Sequence, residues 1–157
     1  MKRVTYWPQI FLGLAFNWGA LMGWSAVSGS LPAAALVLYL AGIFWTLGYD
    51  TIYAHQDAVD DALIGVKSTA LKFGASSKKW ISGFYSGFVL LTGLSLWLAD
   101  VPWLTYFGLV AMALHLVWQV AKLDIDAPDV CLKIFRANKD TGAFLFAGII
   151  LVVILIG

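Results

Sequence analysis

The chain has 157 residues, 61% of them hydrophobic and 12% charged, with a mean hydropathy of +0.84. A soluble domain averages about 25% charged residues, so this composition excludes an ordinary soluble fold and points to a protein of the bilayer. The formal net charge of +1 argues against a nucleic-acid partner, and the single cysteine, Cys131, has no second cysteine for an intrachain disulfide.

A membrane span needs about 20 largely apolar residues, and five windows qualify. Residues 7–27 form the first, with Pro8 suited to an opening helical turn. The stretch after the basic residues 1–3 has spanning length and no A-x-A cleavage signal, so it reads as a span rather than a signal peptide. Residues 32–53 form the second, interrupted only by Asp50, and residues 80–99 form an uncharged third. In the fourth, residues 101–121, His115 is the only ionisable residue apart from Tyr106. Residues 141–157 form a fifth, shorter window. The expected fold is all-α, a polytopic transmembrane helical bundle of five spans in a single domain over residues 1–157.

Loop charge tests this division. The short loops at residues 28–31 and at Asp100 hold no Lys or Arg. Lys2 and Arg3, then Lys67, Lys72, Lys78 and Lys79, then Lys122, Lys133, Arg136 and Lys139 all fall on the other side. The excess of positive charge marks that side as cytoplasmic. The expectation is a multi-pass protein of a bacterial inner membrane, N-terminus inside and C-terminus outside. Two small-xxx-small pairs, Gly19 with Gly23 and Gly83 with Gly87, are candidates for helix packing; ordinary glycine frequency explains them about as well. Residues 127–138 read as an interfacial helix on the cytoplasmic leaflet, with a plain connecting loop a close second. Asn17, polar at membrane depth, suits an interhelical hydrogen bond better than catalysis. His115 suits a hydrogen-bonded place in the bundle better than metal ligation.

Four aspartates, Asp50, Asp57, Asp60 and Asp61, fall within twelve residues in the stretch "GYDTIYAHQDAVDDALIGVKSTALKFG", residues 48–74. If residues 46–61 form one helix, Asp50, Asp57 and Asp61 share a stripe about 20° wide, with Asp60 off it. Like charges one turn apart repel by a few tenths of a kcal/mol on an exposed helix, and by more beside a bilayer. A divalent cation would offset that repulsion. Mg²⁺, which takes one or two carboxylates and fills its shell with water and substrate phosphate, is the natural candidate. Lys67 and Lys72 follow within reach of a bound anion. The plain alternative is a solvated loop whose acids balance nearby lysines.

The run Asp57-x-x-x-Asp61-x-x-x-Gly65-x-Lys67-x-Thr69, preceded by "GYDTIYAHQD" and closed by "ALKFG", resembles the second Asp-rich motif of the UbiA-type intramembrane prenyltransferases. The wording is closest to the branch that acts on 4-hydroxybenzoate. "MKRVTYWPQIFLGLAFNWGALMGW" and "LDIDAPDVCLKIFRANKDTG" resemble the same branch, so the likeness covers essentially the whole chain.

The resemblance implies a nine-helix membrane fold in which two Asp-rich motifs hold Mg²⁺ on the diphosphate of a polyprenyl donor. The acceptor, 4-hydroxybenzoate, would be prenylated at its 3-position on the way to ubiquinone. Asp57 and Asp61 match the motif carboxylates and are the expected Mg²⁺ ligands and catalytic residues, with Asp60 a secondary candidate. Lys67, Asp50 and Tyr53 are candidate substrate contacts, and Thr69 matches the motif but also suits a role in the local fold.

The family's first motif, N-D-x-x-D-x-x-x-D, is absent from this sequence, and five spans stand where the family has nine. The expectation is a chain corresponding to the C-terminal half of such an enzyme, inactive alone and with a separate N-terminal half as a possible partner. A family member with another aromatic acceptor is the nearest alternative. A noncatalytic cation-binding membrane protein is the alternative from a different class, although its acids belong near mid-membrane.

Overall fold

The computed structural model describes residues 4–156, without the side chains of Val59, Asp60 and Ile156. Among the described residues all regular structure is helical. The helices are α1 (Pro8–Phe16), α2 (Trp18–Ser28), α3 (Ala33–Ala54), α4 (Ala58–Leu63), α5 (Thr69–Phe73), α6 (Ser77–Leu98), α7 (Thr105–Lys122) and α8 (Pro128–Ile156), with a 3₁₀ turn at Gly74–Ser76 before α6.

Asn17 divides the first apolar window into two helices. Its side-chain amide donates to the Gly13 carbonyl at 2.7 Å and to Thr46 Oγ1 on α3 at 3.1 Å. That is the interhelical hydrogen bond expected of it. The asparagine packs flush against Gly42, where a Cβ would collide with the Asn17 side chain. Gly29, at φ +67, then closes α2 in the left-handed conformation that glycine adopts freely.

Among the described residues, four runs are long and apolar enough to cross a membrane: Pro8–Ser28, Ala33–Ala54, Thr69–Leu98 and Pro128–Leu155. The fourth expected window is not among them. In α7, His115, Gln119 and Lys122 dilute the apolar residues, yet the helix runs its 18 residues alongside α8. Another departure lies in α8, which continues unbroken from Pro128 to Ile156. The separate interfacial helix at residues 127–138 is therefore the opening of this long helix, and the short last window is its second half.

The glycine pairs also sort differently. A Cβ on Gly19, Gly23 or Gly83 would meet nothing within 4 Å, so these mediate no packing among the described residues, whereas Gly87 lies under the Phe44 ring. The close approach occurs instead between Gly108 on α7 and Gly148 on α8, where an added Cβ would stand 2.9 and 2.7 Å from the opposing Cα. The two residues lie 40 positions apart, beyond the reach of a single-helix motif.

A polar knot lies at the centre of the bundle. Asn138 on α8 accepts from the Trp45 indole on α3 at 2.9 Å and donates to the Gln119 side-chain oxygen on α7 at 3.1 Å. The Tyr85 hydroxyl on α6 is shared between Gln119 and Asn138, at 3.1 and 3.3 Å, and Gln119 donates to Thr141 at 2.9 Å. Tyr85, Gln119, Asn138 and Thr141 are buried. Ala41, Ile52, Ile81, Phe88, Met112 and Leu116 pack around them, and the Trp45 and Phe88 rings stack at 5.1 Å. Large apolar side chains on the outer faces, Leu90, Phe107, Leu114, Phe146 and Ile154 among them, are exposed, as a lipid-facing surface requires.

Replacing Asn138 by Ala should leave Trp45 and Gln119 short of partners and lower stability by about 1–2 kcal/mol, read as a lower midpoint of thermal unfolding in detergent. Gly148→Val should force α7 from α8 and cost about 1–3 kcal/mol by overpacking, measured in the same way.

Candidate functional site

One end of the bundle gathers the start of α1, the end of α3, the short helices α4 and α5, the start of α6, and the α7–α8 connection. Cross-links fix the grouping. Lys67 Nζ donates to the Val4 carbonyl at 3.4 Å, Lys78 Nζ to the Leu123 carbonyl at 3.1 Å, and Gln56 to the Pro128 carbonyl at 3.4 Å. At the opposite end, Ser95 of α6 donates to the Ala34 carbonyl at the start of α3. The charge separation read from the loops is thus present in the packing.

The acidic stretch is not one helix. α3 stops at Ala54, residues 55–57 form a turn, and α4 begins afresh at Ala58. Gln56 reaches across to Pro128, and Asp57, of a residue type that favours helix starts, stands just ahead of the new helix. The three-carboxylate stripe assumed continuity from 46 to 61, so the break removes the geometric link of Asp50 to the other two. The spacing of Asp57 and Asp61 survives, because the Asp61 N–H donates to the Asp57 carbonyl at 2.7 Å in the first turn of α4.

The two motif carboxylates sit in unlike surroundings. Asp57 is exposed, whereas Asp61 is only 6% exposed. α4 closes at Leu63, two residues after Asp61. The Val66 N–H donates to the Asp61 carbonyl at 2.8 Å, and the Gly65 N–H to the Ala62 carbonyl at 3.3 Å, with Gly65 at φ +69. This is a Schellman closure, which explains a glycine at that point of the motif. The Asp60 side chain lies outside the described residues.

The remaining motif positions have structural partners. Thr69 is buried and pairs with Thr51 at 2.8 Å. Because the Thr51 hydroxyl donates to the Leu47 carbonyl at 2.6 Å, Thr69 is the donor in that pair, and it ties α5 to α3. Ser68 caps α5 by accepting from the Leu71 N–H. Lys67, besides its bond to Val4, stands 5.3 Å from the Tyr6 ring, and Lys72 lies 4.4 Å over the Trp7 ring. Both cations are thereby held at the acidic end on aromatic supports. Asp50 is half-buried near the end of α3, and Tyr53, 39% exposed, rests on Phe135 of α8 with ring centroids 4.8 Å apart.

Two further groups belong to this end. His55, in the turn, has a buried Nε2 with no hydrogen-bond partner among the described residues. Burial pushes its pKa down, while the Asp126 carboxylate partly opposes that shift. The α7–α8 loop thus brings Asp126 towards the acidic segment. The stretch "YAHQD" contains His55, but nothing in its spacing announces the neighbour 71 residues away. His115, by contrast, is where it was expected, bonded to the Ala137 carbonyl at 3.1 Å and flanked by Trp118 and Phe144.

As a donor set, this end offers hard carboxylate oxygens. Among the described residues no three His, Cys, Asp or Glu side chains converge into a metal cage. One or two carboxylates suit a cation that completes its shell with water and phosphate, which is the habit of Mg²⁺ and unlike a closed zinc site.

No solved structure matches the chain. Proteins called 4-hydroxybenzoate polyprenyltransferase, mitochondrial, are similar to it. That of Drosophila melanogaster is 56% identical over 156 residues, 96% of this chain and 39% of the relative. The one from Bos taurus is 53% identical over 156 residues, 41% of the relative, and that of Arabidopsis thaliana 51% over 155, 37% of the relative. The chain thus spans about two fifths of the length of these relatives. The profile of the UbiA prenyltransferase family matches residues 1–154, and the chain belongs to that family.

Proposed function

We propose that this chain supplies the acidic end of an enzyme that transfers a polyprenyl group from its diphosphate to the 3-position of 4-hydroxybenzoate, in ubiquinone biosynthesis. The observation that carries the reading is the folded motif itself. Asp57, in the turn before α4, and Asp61, on that helix, stand one turn apart, and Lys67 and Lys72 are held on aromatic rings at the same end of an apolar bundle. A polyprenyl donor has a matching division, a charged diphosphate head and a hydrocarbon tail that belongs in lipid.

In the proposed reaction the allylic carbon–oxygen bond breaks, and its electron pair leaves with the diphosphate. The ring carbon ortho to the 4-hydroxyl group then bonds to the allylic carbon, and the proton on that ring carbon is lost as aromaticity returns. Asp57 and Asp61 would hold Mg²⁺. When bound, the ion would neutralise charge developing on the departing diphosphate. Lys67 and Lys72 add positive charge to the same anion, and Asp50 and Tyr53 are proposed to border the substrate space. Asp61, buried, sets the position of the pair, while Asp57 stays open to ligand and water.

In the bilayer we propose α7 as a fifth span beside the four more apolar runs, which places the acidic end on the side carrying the basic loops. The sequence expectation was a bacterial inner membrane, whereas the relatives' names say mitochondrial. The proposed sidedness is the same in either setting, with basic loops and acidic end together.

The test is a chimera in which residues 1–154 replace the matching segment of one of the similar enzymes, assayed in membranes with polyprenyl diphosphate and 4-hydroxybenzoate. The chimera should form 3-polyprenyl-4-hydroxybenzoate and stop when divalent cations are chelated. Asp57→Asn and Asp61→Asn should each lower turnover by about 100-fold or more, the scale of losing one electrostatic contact to a transition state. Membranes holding the 157-residue chain alone should form no product. Full turnover by the Asp61→Asn chimera would overturn the reading.

A further inference from the structure

Between α6 and α7 runs a groove of about 680 Å³, and none of Asp50, Asp57 and Asp61 lines it. Its two ends differ in chemistry. Lys78, Ser82 and Ser86, spaced by four along α6, form a polar stripe at the end that carries the basic loops. Further along, the walls become wholly apolar, with Leu90 on α6 facing Val117 and Ala113 on α7. Leu90 and Val117 are 72% and 66% exposed, so this hydrocarbon surface is uncovered. From Lys78 to Leu90 the helix rises about 18 Å, more than half of an apolar leaflet pair about 30 Å thick.

Lysines flank the polar end, and among the described residues no acidic side chain lines the groove. Lys122 follows directly on Ala121, which lines the groove, and Lys79 follows Lys78. Lys78 Nζ donates one hydrogen to the Leu123 carbonyl, which leaves an ammonium two further donors. The nearby Asp124 carboxylate is engaged in its own loop, accepting the Asp126 N–H at 3.1 Å. A cation-rimmed slot opening into a hydrocarbon groove, at the level where basic side chains snorkel, complements an anionic amphiphile.

The geometry points to a binding site for one anionic phospholipid of the surrounding bilayer, its phosphate at Lys78, its ester region beside Ser82 and Ser86, and one acyl chain along Leu90, Ala113 and Val117. The Ser82 hydroxyl donates within the helix, to the Lys78 carbonyl at 2.8 Å. The inference concerns the flank of the bundle and does not rest on the prenyltransferase reading. The site would fill this gap between α6 and α7 and so hold Tyr85, which also lines the groove, in the polar knot.

The chain purified in a neutral detergent, titrated with phosphatidylglycerol or with phosphatidylcholine of the same acyl chains, and examined by native mass spectrometry tests this. A lysine near the surface contributes about 1 kcal/mol towards an anionic lipid, or about a fivefold preference. Wild-type protein should therefore retain phosphatidylglycerol about fivefold over phosphatidylcholine. Lys78→Ala should erase the preference. Lys133→Ala, which removes the same charge from α8, should keep it. Ala113→Trp and Val117→Trp, filling the apolar end, should reduce retention of both lipids, with helicity checked by circular dichroism. Equal retention of the two lipids by wild type, or retention of neither, would overturn the site, the latter marking the groove as a protein-covered seam. An equal loss in Lys133→Ala would reduce the effect to net charge. Displacement of phosphatidylglycerol by farnesyl diphosphate would give the groove to a different amphiphile, and the phospholipid assignment would fail.

Discussion

The arrangement of this bundle depends on the polar knot of Trp45, Tyr85, Gln119 and Asn138. Inside a bilayer, apolar side chains gain little by leaving lipid for one another, so burial alone does not choose which helix faces meet. Hydrogen bonds between buried polar groups do choose, because a mismatched arrangement strands a donor or acceptor in hydrocarbon. This knot draws on α3, α6, α7 and α8 at once. It also accounts for the composition of α7. Gln119 makes that helix less apolar than its neighbours and supplies the bond that holds it among them.

Fixing the four helices fixes what their ends can present. α3 and α8 come together along Trp45, Tyr49, Tyr53, Phe135 and Asn138, so the start of α8 lies beside the end of α3. From there Gln56 reaches Pro128, and the α7–α8 loop brings Asp126 towards His55. A second framework carries α5. Thr51 and Thr69 bind it to α3, while Phe73 stacks on Trp80 at 4.7 Å and meets Trp7 edge-on at 5.4 Å. Lys72 lies on the face of that same Trp7. The lysines after the acidic run are thus held in place by packing, and an anion arriving there meets charge that is already ordered.

Much of this was legible in the residues. Composition alone requires a helical membrane bundle, and the basic loops mark the end where the acidic segment lies. Asn17 and His115 each showed their role, since a lone polar group in an apolar run has few other uses. What stayed hidden depends on partners far along the chain. The break after Ala54 looks like continuous helix in a window, because the partner of Gln56 is Pro128. Gly108 and Gly148 carry no local motif, while Gly19 and Gly23, which do, face open space. Gln119 and Asn138 read as ordinary polar residues until four helices converge on them. Thr69 matches the motif, and of the two roles its sequence allows, the structure shows the one within the local fold, bonded to Thr51.

The break between α3 and α4 bears most on chemistry. On one continuous helix, Asp57 and Asp61 would be equivalent carboxylates on a shared face. As folded, they are not. Asp61 is buried, and its carbonyl is locked by the Schellman closure at Gly65, whereas Asp57 lies exposed in the turn before the helix. A buried carboxylate on a closed turn is costly to move and serves as a fixed reference. An exposed one at a helix start can swing by a side-chain rotation at little cost. Under the proposed reading, such a pair holds a cation from one side and leaves its other positions to water and phosphate. A hard cation that must admit and then release a diphosphate needs that freedom, and a rigid cage of carboxylates would bind it without turnover.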